Sequence, residues 1–135
     1  MLDLWNAGFG PSPRSIEIMG DSSLRGLVGM TIDFRYPLVV IAGKNGTGKS
    51  TLLACAACVY HNTGPYELWI LEGKYFRCTD LFFTTSQEAP LLKVQVRWTY
   101  RLEDRTVHIQ TVTKSPSRWR GYPSRPNRAV EFVGL

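Results

Sequence analysis

The residues best suited to chemistry stand in one short run, Gly43-Lys44-Asn45-Gly46-Thr47-Gly48-Lys49-Ser50. The run matches the pattern Gly-x-x-x-x-Gly-Lys-Ser in full. Glycines let a backbone bend with its N–H groups facing inward and let an anion approach closely. A helix that opens directly behind such a bend adds unpaired N–H groups and a partial positive charge. In that setting Lys49 reaches the β- and γ-phosphates of a nucleoside triphosphate, and the Ser50 hydroxyl is a ligand for Mg²⁺. The bland alternative is a glycine-rich turn carrying an exposed lysine. The two readings differ in context, because a phosphate loop needs a strand in front of it and a helix behind it.

Both flanking elements are expected here. Leu38-Val39-Val40-Ile41-Ala42 is short, β-branched and apolar on both faces, as a buried parallel strand would be. From Lys49 to Asn62 the chain is rich in Leu and Ala and free of Gly and Pro, which predicts a helix closed by Asn62-Thr63-Gly64-Pro65. Upstream, Gly8, Gly10, Pro11 and Pro13 mark residues 1–14 as an irregular arm. Ser15 to Met19 and Met30 to Phe34 alternate and read as strands, with a turn region between them. Downstream, residues 67–72 and 74–83 look extended. Residues 92–100 and 106–112 alternate apolar with polar around Glu103-Asp104-Arg105, which predicts a β-hairpin with one wet face. Residues 115–127 are rich in Pro, Ser and Arg and read as a loop, and 129–133 as a last short strand. The expected fold class is therefore α/β: a strand–loop–helix P-loop NTPase core with an attached antiparallel β-sheet, in a single domain. Residues 1–14 are its arm, 15–65 its nucleotide-binding core, and 66–135 its mainly antiparallel part with a basic loop at 114–128.

Composition narrows the class. A chain of 135 residues suits one core, and a hydrophobic content of 44% excludes global disorder. No apolar run reaches the roughly 18 residues that a membrane-spanning helix needs. The start, Met1-Leu2-Asp3-Leu4-Trp5, lacks the basic and apolar regions of a secretory signal. Three cysteines, an odd count, argue for a reduced, cytoplasmic compartment over a disulfide framework. The net charge of +5 equals the contribution of Lys114, Arg118, Arg120, Arg125 and Arg128 alone, in a stretch without an acid. One surface thus carries the excess, as expected if it meets something anionic.

That basic stretch interleaves arginine with Trp119 and Tyr122. Guanidinium groups hold phosphates and aromatic faces stack bases, which would suit nucleic acid. The same arginines could serve a triphosphate, pair with acids elsewhere, or simply be solvated. Cys55 and Cys58 have C-x-x-C spacing, but with Cys78 as the remaining thiol they read as small residues packing a helix on a sheet. His61 closes the predicted helix, where the dipole accounts for it, and His108 reads as a surface residue of the hairpin.

The segment Asn45-Gly46-Thr47-Gly48-Lys49-Ser50-Thr51 resembles the "NGxGKST" loop of ABC-type ATPases. Within that class it looks most like the DNA-linked branch: SMC proteins, RecF- and RecN-like repair ATPases, and OLD-like or other AAA-labelled prokaryotic defence ATPases. Ser23-Leu24-Arg25-Gly26-Leu27 is similar to the "FRxL"-like turn that precedes the loop in that family, with Leu24 in place of the usual aromatic. The resemblance implies that Arg25 lies near the nucleotide, together with Gly43, Lys44, Asn45, Gly46, Thr47, Gly48, Lys49, Ser50 and Thr51. It implies ATP and Mg²⁺ as ligands, with Ser50 at the metal. A second ATPase head, from a homodimer or a C-terminal half, and DNA are the implied partners, with no membrane. The family's Walker B acids and Ser-Gly-Gly signature have no counterpart here; Leu68-Trp69-Ile70-Leu71-Glu72 comes nearest and lacks the Asp-Glu pair. The chain is therefore expected to be the N-terminal lobe of a larger ATPase, acting in repair, chromosome handling or anti-phage defence, and to hydrolyse ATP poorly alone. Two other readings stay open. One is a complete small P-loop kinase or NTPase with Glu72 or Asp80 at the metal and residues 118–128 as a lid. The other is a non-hydrolysing, nucleotide-gated nucleic-acid-binding module.

Overall fold

A computed structural model of the chain describes residues 12–21, 24–35, 38–60, 93–102, 106–115, 118–121 and 125–126. Alternation of side chains builds its sheet. In β1 (Ser12–Met19), Ile16 and Ile18 are buried while their neighbours are part-exposed. β3 (Gln95–Arg101) buries Val96, Trp98 and Tyr100 and leaves Gln95, Arg97 and Thr99 part-exposed. With β2 (Met30–Asp33), β4 (Val107–Lys114) and β5 (Trp119–Arg120) they form one sheet in the order β2-β1-β3-β4-β5, antiparallel throughout. The register keeps apolar rows together: Ile18 lies between Met30 and Val96, and Ile16 between Ile32 and Trp98. The opposite face carries Thr31, Glu17, Arg97 and Thr111 in a polar row. A one-residue slip would exchange the two faces, so burial of one face fixes the pairing.

Helix α1 (Lys49–Ala57) packs on the apolar face. It buries Thr51, Leu52, Ala54, Cys55 and Ala57, and the small Ala and Cys side chains let it sit close to the large Trp98 and Tyr100. Cys55 and Cys58 are fully buried thiols outside any disulfide, in keeping with a packing role. Among the described residues no helix is long and apolar enough to cross a membrane.

Several expectations need correction. Residues 38–42 form no strand, and Leu38 and Val40 are each 82% exposed. A buried strand needs partners for its N–H and C=O groups on its edges; no described strand pairs with this segment, so its apolar character does not translate into burial. The helix ends at Ala57 rather than Asn62, with residues 58–60 in a turn. Residues 12–14 belong to β1 and not to an arm, because Ser12 and Pro13 pair with Arg101 and Tyr100 of β3 and the Arg14 carbonyl accepts from Phe34 N–H; a register shift between Pro13 and Ser15 absorbs the proline. The expected loop at 115–127 contains β5, whose Trp119 is buried. His108 is half-buried, its ring centroid 6.0 Å from that of Tyr100. The expected strands at 67–72, 74–83 and 129–133, with His61, Glu72, Cys78, Asp80 and Arg128, lie outside the described residues.

Candidate nucleotide site

The glycine-rich run folds into a closed bend. Gly46 and Gly48 take positive φ values of 80° and 87°, which a side chain would resist. Gly48 is the N-cap of α1, and the first helical bond runs from Leu52 N–H to the Gly48 carbonyl at 2.9 Å. Lys49 opens the helix and turns its side chain back across the bend. Its Nζ donates to the carbonyls of Gly43, at 2.6 Å, and Lys44, at 2.5 Å. The Thr47 hydroxyl donates to the same Lys44 carbonyl at 2.8 Å. An ammonium has three donors, so one remains for an anion while two hold the loop in shape.

The start of α1 suits an anion. It has no side-chain cap and no acidic residue in its first turn, so its own first turn does not neutralise the N–H groups and dipole there. Gly43 to Thr47 and Ser50 are exposed, Gly48 and Lys49 are half-buried, and Thr51 is buried, leaving it only a backbone N–H to offer. The Ser50 hydroxyl stands in the first turn, exposed, with a chemistry suited to Mg²⁺. Among the described residues no three His, Cys, Asp or Glu side chains converge, so an acidic metal partner for Ser50 is not found there.

Arg25 is held beside this bend by a tight turn. Leu24 and Leu27 exchange backbone hydrogen bonds of 2.9 and 3.0 Å, and Arg25 and Gly26 between them have φ values of 47° and 88°. Positive φ at both central residues defines a type I′ turn. The turn packs on the loop: a β-carbon on Gly48 would fall 2.4 Å from Leu27 Cδ2. Leu27 is buried and Arg25 exposed at the tip.

The far end of α1 is held by the sheet. Trp98 Nε1 donates to the Cys55 carbonyl at 3.1 Å, Tyr100 Oη to Val59 at 2.5 Å, and Arg125 to Cys58 at 2.5 Å. These are carbonyls that a helix end leaves without partners, and a cation there matches the dipole. Sequence reasoning missed this clamp. Trp98 and Tyr100 were legible as core, but nothing in the arginine-rich run distinguished Arg125 from its exposed neighbours. The contact of Leu27 with Gly48 likewise had no sequence signal beyond the turn itself.

The glycine-rich bend thus has the expected helix behind it, at a start without a side-chain cap, while the strand expected in front of it is not formed. Residues 16–114, most of the chain, match the AAA domain family, and the chain belongs to that family of P-loop ATPase domains. No curated protein and no solved structure matches it.

Proposed function

We propose that the chain binds ATP with Mg²⁺ at residues 43–51, as the nucleotide-binding lobe of an ABC/SMC-like ATPase that works on DNA. The observation that carries the reading is the Lys49 ammonium, folded over the bend at the uncapped start of α1. The β- and γ-phosphates would lie against that ammonium and the loop's N–H groups, with the α1 dipole behind them. Mg²⁺, when bound, would neutralise phosphate charge and take the Ser50 hydroxyl as a ligand. Arg25 would contribute a further positive charge from the turn that packs on Gly48. The Walker B acids and the signature motif would come from other segments or a second ATPase head, so ATP binding is the function of this lobe and hydrolysis that of the assembly.

Lys49→Ala tests the site. Among the described residues its side chain bonds to loop carbonyls at the surface, so the far-ultraviolet circular dichroism should not change. Calorimetric titration with Mg-ATP should show affinity lowered by at least about tenfold, the equivalent of one charged hydrogen bond. Undiminished binding would remove the loop from the nucleotide site.

A further inference from the structure

The structure divides the basic stretch into residues that serve the core and residues that face solvent. Arg125 is buried and donates to the Cys58 carbonyl at 2.5 Å. Trp119 is buried to 3% exposure and pairs with Lys114 across β4 and β5. Arg118 and Arg120 are exposed. Arg120 follows Trp119 in β5 and so lies on the face opposite to it, and Arg118 directly precedes the strand. Arg120 pairs with Thr113, and Thr113 in turn with Gln95, so the neighbouring positions on that face are neutral and polar.

This corner is anchored. Trp119 in the core fixes β5 from beneath. At the turn, the Ser115 N–H and hydroxyl both donate to the Arg118 carbonyl, at 2.8 and 2.7 Å. The two arginines stand two positions apart, at most roughly 7 Å along the chain. No acid occurs in the sequence between Asp104 and Glu131. The face that Arg120 occupies is opposite to the one on which α1 packs, so this cation stands apart from the phosphate loop.

We infer that Arg118 and Arg120 grip the phosphate backbone of duplex DNA without stacking on its bases. The inference rests on the DNA-linked reading of the preceding section and locates its contact. Single-strand binders rely on exposed aromatic faces, and the aromatic residue between these two arginines is turned into the core. Arg118 and Arg120 themselves offer planar, permanently charged forks, which match phosphate oxygens bidentately. A duplex offers the higher charge density, about one negative charge per 1.7 Å of axis. The contact would be independent of base sequence.

The test is fluorescence anisotropy with the 135-residue chain, using a fluorescein-labelled duplex and one of its strands alone. The duplex should bind more tightly. For two phosphate contacts the logarithm of affinity should fall with the logarithm of salt at a slope of about −1.8. The double charge reversal R118E/R120E, at exposed positions, should keep the circular dichroism spectrum, weaken duplex binding by at least about tenfold and flatten the slope to about zero. R118K/R120K should keep most of the slope. Full duplex affinity in R118E/R120E would overturn the assignment of these residues while the DNA-linked reading survives. Preference for the single strand would overturn the backbone-only mode. Absence of binding to either form would overturn both the inference and the reading beneath it.

Discussion

Leu27 occupies the space that a side chain on Gly48 would need: a β-carbon built there would sit 2.4 Å from Leu27 Cδ2 and 2.8 Å from its Cγ. The glycine is therefore demanded twice, once by its φ of 87° and once by its neighbour. Gly48→Ala should destabilise the fold by about 1–2 kcal/mol for the left-handed conformation alone, with a further steric cost of about 1–3 kcal/mol where Leu27 cannot move aside. The double mutant Leu27→Ala/Gly48→Ala separates these. Trimming Leu27 should recover the steric part and leave the conformational part, so the two substitutions should be non-additive by at least about 0.5 kcal/mol in urea melts. Strict additivity would mean that turn and loop do not touch in solution.

Arg25 stores strain at the tip of the same turn. Its φ of 47° lies in the left-handed region, which disfavours a residue with a β-carbon other than Asn or Asp. Arg25→Asn should raise stability by about 1 kcal/mol. If the arginine faces the nucleotide, the same substitution should weaken Mg-ATP binding, giving a more stable but poorer binder, the pattern expected where strain serves a site. Thermal melts and calorimetry on one preparation read both effects. An Asn variant that binds ATP as well as the parent would take Arg25 out of the site.

Ser50 and Lys49 should separate by metal dependence. Lys49 acts on phosphate directly, so its removal should weaken ATP binding with or without Mg²⁺. Ser50→Ala should weaken binding by about tenfold in Mg²⁺, the scale of one lost ligand contact of about 1.4 kcal/mol, and change little in EDTA. Equal losses under both conditions would assign Ser50 to the phosphates instead of the metal.

The bend and the helix start at Lys49 were readable because they are local: glycines followed by an Ala- and Leu-rich run specify their own geometry. The first strand of the hairpin was readable for a related reason, since one buried face imposes a period of two on Val94, Val96, Trp98 and Tyr100. In the second strand the apolar alternation points the wrong way, because Val107 and Ile109 are exposed while Gln110 is buried in register with Trp98. Residues 38–42 show where local pattern stops being sufficient. A β-branched apolar run states that it can be buried, but burial also requires flanking strands, and those are a property of the whole arrangement. Arg125 fails to announce itself for the same reason. Its partner carbonyl is 67 residues away in the chain, and in sequence it looks no different from Arg118 or Arg120, which face water.

The clamp on the far end of α1 yields the last prediction. Tyr100→Phe keeps the ring that stacks at 5.7 Å on Tyr60 and deletes only the hydroxyl, leaving the Val59 carbonyl without this donor. A buried acceptor left unpaired costs about 1–3 kcal/mol. Arg125→Met preserves length and apolar volume but removes a charged donor from Cys58, a loss of about 1.5–3 kcal/mol for a hydrogen bond of that kind. Because Cys58 and Val59 are consecutive, the two donors hold one helix end. Once either is gone the turn can rotate its carbonyls toward water, and the second deletion then costs less. The double mutant should therefore lose less stability than the sum of the singles, by at least about 0.5 kcal/mol. ATP affinity of the folded protein should be unaffected, since the phosphate loop lies at the opposite end of α1. Additive losses would show that the two donors act on independent parts of the structure, and an ATP affinity that falls with Arg125→Met would show that the clamp also sets the position of the loop.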